Sequence, residues 1–358
     1  MELLSFSYDT THTSEDDEWH LEPIHLSHLN LIVGKNATGK SRALVVISAF
    51  AKMIKVGNEI YIGEFNFHFQ DGTDIISYKK TNRQGSIFTE DLFINGRCYA
   101  KRSGNSAELF SIKENKWQTI SPPDNRLLIH VRRDVEEYPY FEKIITWAEN
   151  VQTFNFGHVH VSSFIEGQEA IPASIENIPQ LIEKMSPGQK ANLLKTFNSI
   201  GYEVSEMNTQ KNENGPILYI KEEKINKKVV QRLISQGMFR ALALLIFIHH
   251  LLDENKASLI IIDDLCEGLD YERATKLGKL LYGDLLPKNV QLVATSNDSF
   301  LMDVVDIKYW NVIQRKGTRI KSLNYTENKP VFEHFKFSGL SNFDFFSSDF
   351  IESRSSQK

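Results

Sequence analysis

The chain has 358 residues, of which 41% are hydrophobic, 11% aromatic and 24% charged. This is the make-up of a globular protein and excludes disordered and fibrous classes. A formal net charge of -5 excludes a uniformly basic nucleic-acid coat, whose affinity comes from neutralising many phosphates, but leaves room for a local basic groove. No apolar run approaches the ~18–20 residues that cross a bilayer. Met1 to Asp16 turns acidic, which predicts no signal peptide. Two cysteines, Cys98 and Cys266, make neither a disulfide framework nor a zinc cluster. The expectation is a cytoplasmic chain of two domains, or one large α/β unit with an insertion.

In chain order, Leu29 to Val33 reads as a short buried strand, and an apolar stretch from Ala43 to Met53 has helical length. From Glu59 to about Arg102 the pattern alternates. Asp71-Gly72 and Asn95-Gly96 are hairpin signals, so an antiparallel meander is predicted, closed by Pro122-Pro123. Tyr138 to Val151 reads as an amphipathic helix. A polar, Pro/Gly-punctuated segment follows, with a helix opening at Pro187 and a strand pair within Tyr202 to Ile220. The last third returns to α/β alternation: a helix over Phe239 to Leu252, a strand over Ser258 to Ile262, a helix over Arg273 to Tyr282 and a strand over Val290 to Thr295. Beyond Asn324 the chain reads as irregular. Its phenylalanines, Phe343, Phe345, Phe346 and Phe350, are expected to pack as core. No internal repeat is evident.

Between the first strand and helix, Gly34-Lys35-Asn36-Ala37-Thr38-Gly39-Lys40-Ser41 fits G-x-x-x-x-G-K-[ST] at every fixed position. Glycines let successive backbone N–H groups and the helix start face an anion, Lys40 is placed to reach the β- and γ-phosphates, and Ser41 to ligate Mg²⁺. Gly34 to Arg42 is therefore the candidate ATP-phosphate site. Leu259 to Ile262 ends in Asp263, a carboxylate at the end of a buried strand, suited to Mg²⁺ or its water shell.

Between these two motifs stands Leu233-Ile234-Ser235-Gln236-Gly237-Met238-Phe239-Arg240, and beyond them Gly268-Leu269-Asp270. Here the chain resembles the ABC-type ATPases, in the soluble branch related to SMC, RecF and OLD proteins. Ser235 and Gly237 match the fixed positions of the family signature, Arg240 resembles the branch's basic residue, and Gly268 to Asp270 looks like its D-loop. The resemblance implies an α/β P-loop head with a mostly parallel core sheet, an antiparallel β lobe and a small helical insert. It implies lobes at 1–163 and 229–350, an inserted subdomain at 164–228 and a frayed tail at 351–358. It also implies a head-to-tail homodimer in which Ser235, Gln236 and Gly237 face the γ-phosphate held by the other protomer, with Asp270 nearby. Stand-alone members resemble ATPase components of prokaryotic DNA repair or anti-phage systems that work with a separate nuclease or toxin-like effector.

Two positions depart from the family pattern. Asp264 follows the metal carboxylate where glutamate is usual, and Asn297 stands where a switch histidine is expected. Both are carried as candidate catalytic groups, Asp264 as the base and Glu267 as the alternative. Slow hydrolysis is the expectation, and a non-hydrolysing ATP sensor that binds a protein partner without nucleic acid is the second reading. The basic clusters Lys79-Lys80-Arg83, Arg132-Arg133 and Lys224 to Arg232 read as solvated faces, the last with possible DNA contact. His158 and His160 fall on one face of a predicted strand without a third metal ligand, and His249-His250 cannot share a helix face. Gln152 and Gln168 are unsupported candidates for a nucleotide-sensing glutamine. Tyr8 and Trp19 are the aromatics available to stack on adenine.

Overall fold

The computed structural model describes residues 1–10, 18–57, 61–82, 87–159, 178–212, 215–224, 227–255, 258–283, 285–336 and 341–347. His160, Gln168, Arg83 and Phe350 lie outside them. The chain divides into two compact units, Met1–Val151 with Lys308–Lys329, and Gln152–Ile307 with Pro330–Lys358.

The first unit opens with strands β1 (Glu2–Asp9), β2 (His20–His25) and β3 (Leu29–Val33), then helix α1 (Lys40–Val56). Strands β4 (Gly63–Asp71), β5 (Asp74–Asn82), β6 (Thr89–Ile94), β7 (Arg97–Ser103), β8 (Ser106–Ser111) and β9 (Lys116–Ile120) form the expected antiparallel meander. Its predicted turns are present, with Asn95 and Gly96 both left-handed (φ 50° and 77°), as a two-residue hairpin loop requires. Short helix α2 (Leu128–Val131) and helix α3 (Pro139–Glu149) follow. Alternation along β4 puts Phe65, Phe67 and Phe69 on one face, none more than 2% exposed. Phe50 of α1 stacks on Phe67 at 3.9 Å between centroids, and Trp147 of α3 meets Phe69 edge-on at 4.8 Å. Each buried ring contributes on the order of 2–3 kcal/mol, so this ladder anchors α1 well away from its N-terminus.

The second unit contains β10 (Val151–Asn155), α4 (Ile178–Lys184), α5 (Pro187–Ser199), β11 (Val204–Asn212), β12 (Gly215–Glu222), β13 (Lys228–Val230), α6 (Gln236–Asp253), β14 (Leu259–Asp263), α7 (Tyr271–Leu281), β15 (Gln291–Thr295) and α8 (Ser299–Val304). Its strand order is β10-β14-β15, with β14 and β15 parallel, and β11-β12-β13 make a separate antiparallel sheet. Ser186 caps α5 in a reciprocal box with Gln189, with Pro187 at the first helical position. Helix α6 is buried without interruption from Ala241 to Ile248, the signature of a central helix covered on all sides.

The chain then re-enters the first unit as a hairpin, β16 (Trp310–Lys316) and β17 (Arg319–Asn324). β16 runs parallel to β3, and β17 parallel to β2. The stretch after Asn324, read as irregular, instead holds α9 (Lys329–Lys336) and α10 (Asn342–Ser347). Aromatic spacing there hides a helical pattern: Phe332 and Phe335 are three apart and both 1% exposed. His158 lies in a turn after β10, not on a strand.

One expected solvated charge is buried. Lys80 on β5 is wholly covered, donating to the Tyr61 carbonyl and lying 5.2 Å from the Phe65 ring. Beside it Glu90 accepts from the Tyr78 hydroxyl (2.6 Å) and the Leu128 amide (3.0 Å), and Arg102 donates to Glu90 (3.4 Å) and to the carbonyls of Arg126 (2.6 Å) and Pro123 (2.9 Å). Burial holds the Lys80 ammonium down at about 7 from its ordinary 10.5, outweighing the pull of Glu90 in the other direction. Between those two values the unfolded chain binds a proton that the folded chain does not. Lys80 therefore destabilises the fold progressively as pH falls through that window. Lys80→Met keeps the length and removes the titration. Its melting temperature relative to the unsubstituted chain should climb as pH is lowered from about 10 to about 7, by the equivalent of a few kcal/mol. A pH-independent difference in thermal denaturation would show that Lys80 is not the group responsible.

Candidate functional site

In the first unit, all five residues of β3 are buried, and the chain leaves the strand directly into Gly34 to Gly39. Lys35, Asn36 and Ala37 are exposed on the curve, while Thr38 and Lys40 are turned inward, 8% and 6% exposed. The Lys40 ammonium donates to the carbonyls of Gly34 (2.8 Å) and Lys35 (3.3 Å), and Thr38 donates to the latter (2.8 Å). The cation therefore sits inside the loop. Arg315, from the end of β16, donates to the Ala37 carbonyl at 3.2 Å and ties the outer side of the curve. Helix α1 starts at a left-handed Gly39 (φ 100°) with no side-chain cap and no acidic residue in its first turn. Such an uncapped, positive helix start beside an enclosed ammonium matches a polyphosphate in charge and donor type. Ser41 and Arg42 are exposed at the second and third helical positions.

In the second unit a cleft of about 310 Å³ opens beyond the carboxyl ends of β14 and β15, lined by Asp264, Leu265, Glu267, Gly268, Ser296, Asn297 and Asp298. Open α/β sheets bind ligands at such strand ends. The Thr295 hydroxyl organises it, donating to the Asp263 carboxylate and accepting from the Asp264 amide at 2.9 Å. Ser296 donates to the Leu265 carbonyl (2.7 Å) and accepts from the Asp298 amide (3.0 Å), locking the two strand-end loops together. Asp264 has φ 52°, a left-handed conformation that an aspartate adopts at some cost. Its carboxylate and that of Glu267 converge on Gly157: a Cβ built there would collide with Glu267 and lie 3.3 Å from Asp264 Oδ2. Both candidate bases therefore share one cleft with Asn297. Burial pushes the Asp298 carboxyl up from its ordinary value, against the pull of the Leu301 and Phe300 amides.

The signature residues sit on the same unit. Ser235 caps α6 by accepting from the Met238 amide at 3.4 Å, and Gln236 donates to the Val159 carbonyl. At Gly237 the requirement is space, since a Cβ would fall 2.8 Å from the Gly268 carbonyl oxygen and 3.3 Å from Leu269. Asp270 caps α7 through the Arg273 amide (3.1 Å) and pairs with the Arg273 guanidinium (3.1 Å). The structure thus brings Ser235 to Gly237 against Gly268 and Leu269.

Thr295, Ser296 and Gly157 were not marked by the sequence, because small residues in short loops carry no pattern. Arg240 was marked, but its role is visible only in the fold. Its guanidinium donates to three carbonyls, Val159 (3.1 Å), Glu267 (2.8 Å) and Gly157 (2.5 Å), joining α6 to the loop that bears the converging carboxylates and to the Gly157 turn they converge on. Hydrogen bonds to a charged donor each contribute about 1.5–3 kcal/mol, discounted here where solvent reaches them. Arg240→Ala is expected to destabilise the fold by about 2–4 kcal/mol and Arg240→Lys by nearly as much, because an ammonium cannot reproduce the fork. Urea denaturation checks this, and an unchanged midpoint for Arg240→Ala would refute the stapling role.

No curated protein matches the sequence. Among solved structures, an SMC head bound to the C-winged helix domain of ScpA is similar at TM-score 0.53 and 12% identity, covering 92% of this chain and 100% of that one. An Smc head with an extended coiled coil, bound to the C-terminal domain of ScpA and derived from Pyrococcus furiosus, is similar at TM-score 0.51 and 11% identity, covering 94% and 99%. At such identities the likeness is one of fold: this is an SMC-head-like α/β fold. A family model described as "AAA domain, putative AbiEii toxin, Type IV TA system" matches residues 29–303, a span holding the phosphate loop, the signature and the carboxylate cleft. The chain belongs to that family of AAA-type P-loop ATPase domains, built on an SMC-head-like fold.

Proposed function

We propose that the chain binds and slowly hydrolyses Mg-ATP, and that nucleotide makes two copies associate through Ser235, Gln236 and Gly237 to gate a separate effector protein. The observation that carries this is the enclosed Lys40 ammonium, inside the glycine-bounded loop and beside a helix start with no side-chain cap and no acidic residue in its first turn. Lys40 would hold the phosphates. Mg²⁺ ordinarily takes one or two protein oxygens besides phosphate and water, and Ser41 and Asp263 are of that kind. Asp264 orients the attacking water, with Asn297 contacting the terminal phosphate. The short reach of Asp264 and the uncharged Asn297 support a slow turnover, in which the ATP-bound pair persists as a clamp.

The family description supports a toxin–antitoxin context. To this we add a role in prokaryotic defence or repair, in the cytoplasm, with a separate nuclease or toxin-like partner. The two SMC heads bound to ScpA domains support the idea that heads of this fold engage a partner protein. A non-hydrolysing sensor is the second reading, favoured by the same Asp264 and Asn297.

Light scattering with and without Mg-ATP, paired with phosphate release, tests these statements. The unsubstituted chain should double in mass only with Mg-ATP, and Lys40→Ala should stay single. Asp264→Ala should keep the doubled mass while phosphate release falls roughly a hundredfold. A doubled mass without phosphate release in the unsubstituted chain would select the sensor reading. A larger loss in Glu267→Gln than in Asp264→Ala would transfer the base role to Glu267, and a mass indifferent to nucleotide would refute the clamp.

A further inference from the structure

Beside the phosphate loop lies a stacked pair that the loop itself does not need. Trp19, at the start of β2, is held by Thr10 through reciprocal hydrogen bonds: its amide donates to the Thr10 hydroxyl (2.8 Å) and its carbonyl accepts from the Thr10 amide (2.9 Å). Its indole is 1% exposed and runs under Gly39, where a Cβ would sit 3.5 Å from the ring. The Arg42 guanidinium lies over that ring, 4.4 Å from the centroid, while Arg42 as a residue remains exposed. Tyr8, the other aromatic near the loop, donates its hydroxyl to the Ile62 carbonyl (2.9 Å) and packs its ring on Phe65 at 4.6 Å. Trp19 is buried, and the half-buried Tyr8 ring is engaged by Phe65 and by Trp19 at 5.7 Å. The exposed group beside Gly39 is Arg42, whose guanidinium is intrinsically planar and open to approach by a base.

We propose that Arg42, held over buried Trp19, is the platform on which the nucleotide's base stacks. This rests on the reading that Gly34 to Ser41 hold the phosphates; it moves Arg42, which the sequence grouped with them, from the phosphates to the base, and adds the base's selectivity. A guanidinium plane stacks on aromatic faces by cation–π attraction and planar contact. It carries no hydrogen-bond code directed at a base edge, so adenine and guanine are accepted alike. The stack has three layers, indole, guanidinium and base. Desolvating the inner face of Arg42 against Trp19 lowers the entropy lost when the base lands.

Calorimetric titration of the full chain with Mg-ATP, Mg-GTP and Mg-tripolyphosphate tests the assignment, using the unsubstituted protein, Arg42→Ala and Arg42→Lys. Arg42→Ala should weaken ATP and GTP in parallel by roughly three- to thirtyfold, the range of a cation–π contact, and leave tripolyphosphate unchanged. Arg42→Lys keeps the charge without the plane and should lose most of the same affinity. An equal loss for tripolyphosphate would make Arg42 a phosphate contact and overturn the platform, as would full affinity for ATP in both variants. An unsubstituted chain that binds neither ATP nor tripolyphosphate would instead overturn the phosphate-site reading on which the platform rests.

Discussion

The first unit depends on one constraint: a helix that offers its first turn to an anion must be held somewhere else along its length. Helix α1 meets it through Phe50, stacked on Phe67 between the flanking rings of Phe65 and Phe69. That contact lies about three turns past Gly39, so the start of the helix needs neither a capping side chain nor an acidic residue to stay in register. The loop before it is tied by its own lysine, by Thr38 and by Arg315. These bonds run to the carbonyls of Gly34, Lys35 and Ala37.

In the second unit the constraint is different. Strands β14 and β15 are apolar along almost their whole length, and α6 is buried on all sides, so the framework is hydrophobic and carries no directional chemistry. Direction enters at the strand ends. A threonine hydroxyl reads the carboxylate of one residue and the amide of the next, and a single arginine gathers three carbonyls from two loops. Gly237 belongs to the same logic, since its missing side chain lets the helix start close on the Gly268 backbone. The signature sequence is in this respect a packing motif.

Much of this was legible in the residues. The phosphate loop, the strand ending at Asp263, the meander turns, the capped helix at Pro187 and the strands of the last third all follow from local pattern: glycine spacing, apolar runs and turn chemistry. The pairs β1–β2 and β16–β17 were not marked, because their strands mix polar and apolar residues and gain their burial from distant neighbours. Lys80 was misread for a related reason. A lysine between polar residues looks solvated until the rings of Phe65 and Phe88 and the carbonyl of Tyr61 close over it. The aromatic tail failed in the opposite sense, since phenylalanines three apart suit a helix as well as a loop. Arg42 and Trp19 lie far apart in sequence, and their stack is a product of tertiary structure alone.

The pairing of β3 with β16 has a consequence for how the protein is made. β3 is apolar at four of its five positions and buried at all of them, yet its parallel neighbour β16 is synthesised only after β4 to β15, and Arg315 reaches Ala37 across 278 residues of sequence. While the ribosome is still adding the second unit, β3 exposes an unpaired apolar edge, the kind of surface that recruits other strands. The phosphate loop is thus supported by a strand that follows it at a separation of 278 residues, so a chain cut before Trp310 holds the complete loop motif and lacks the strand beside it.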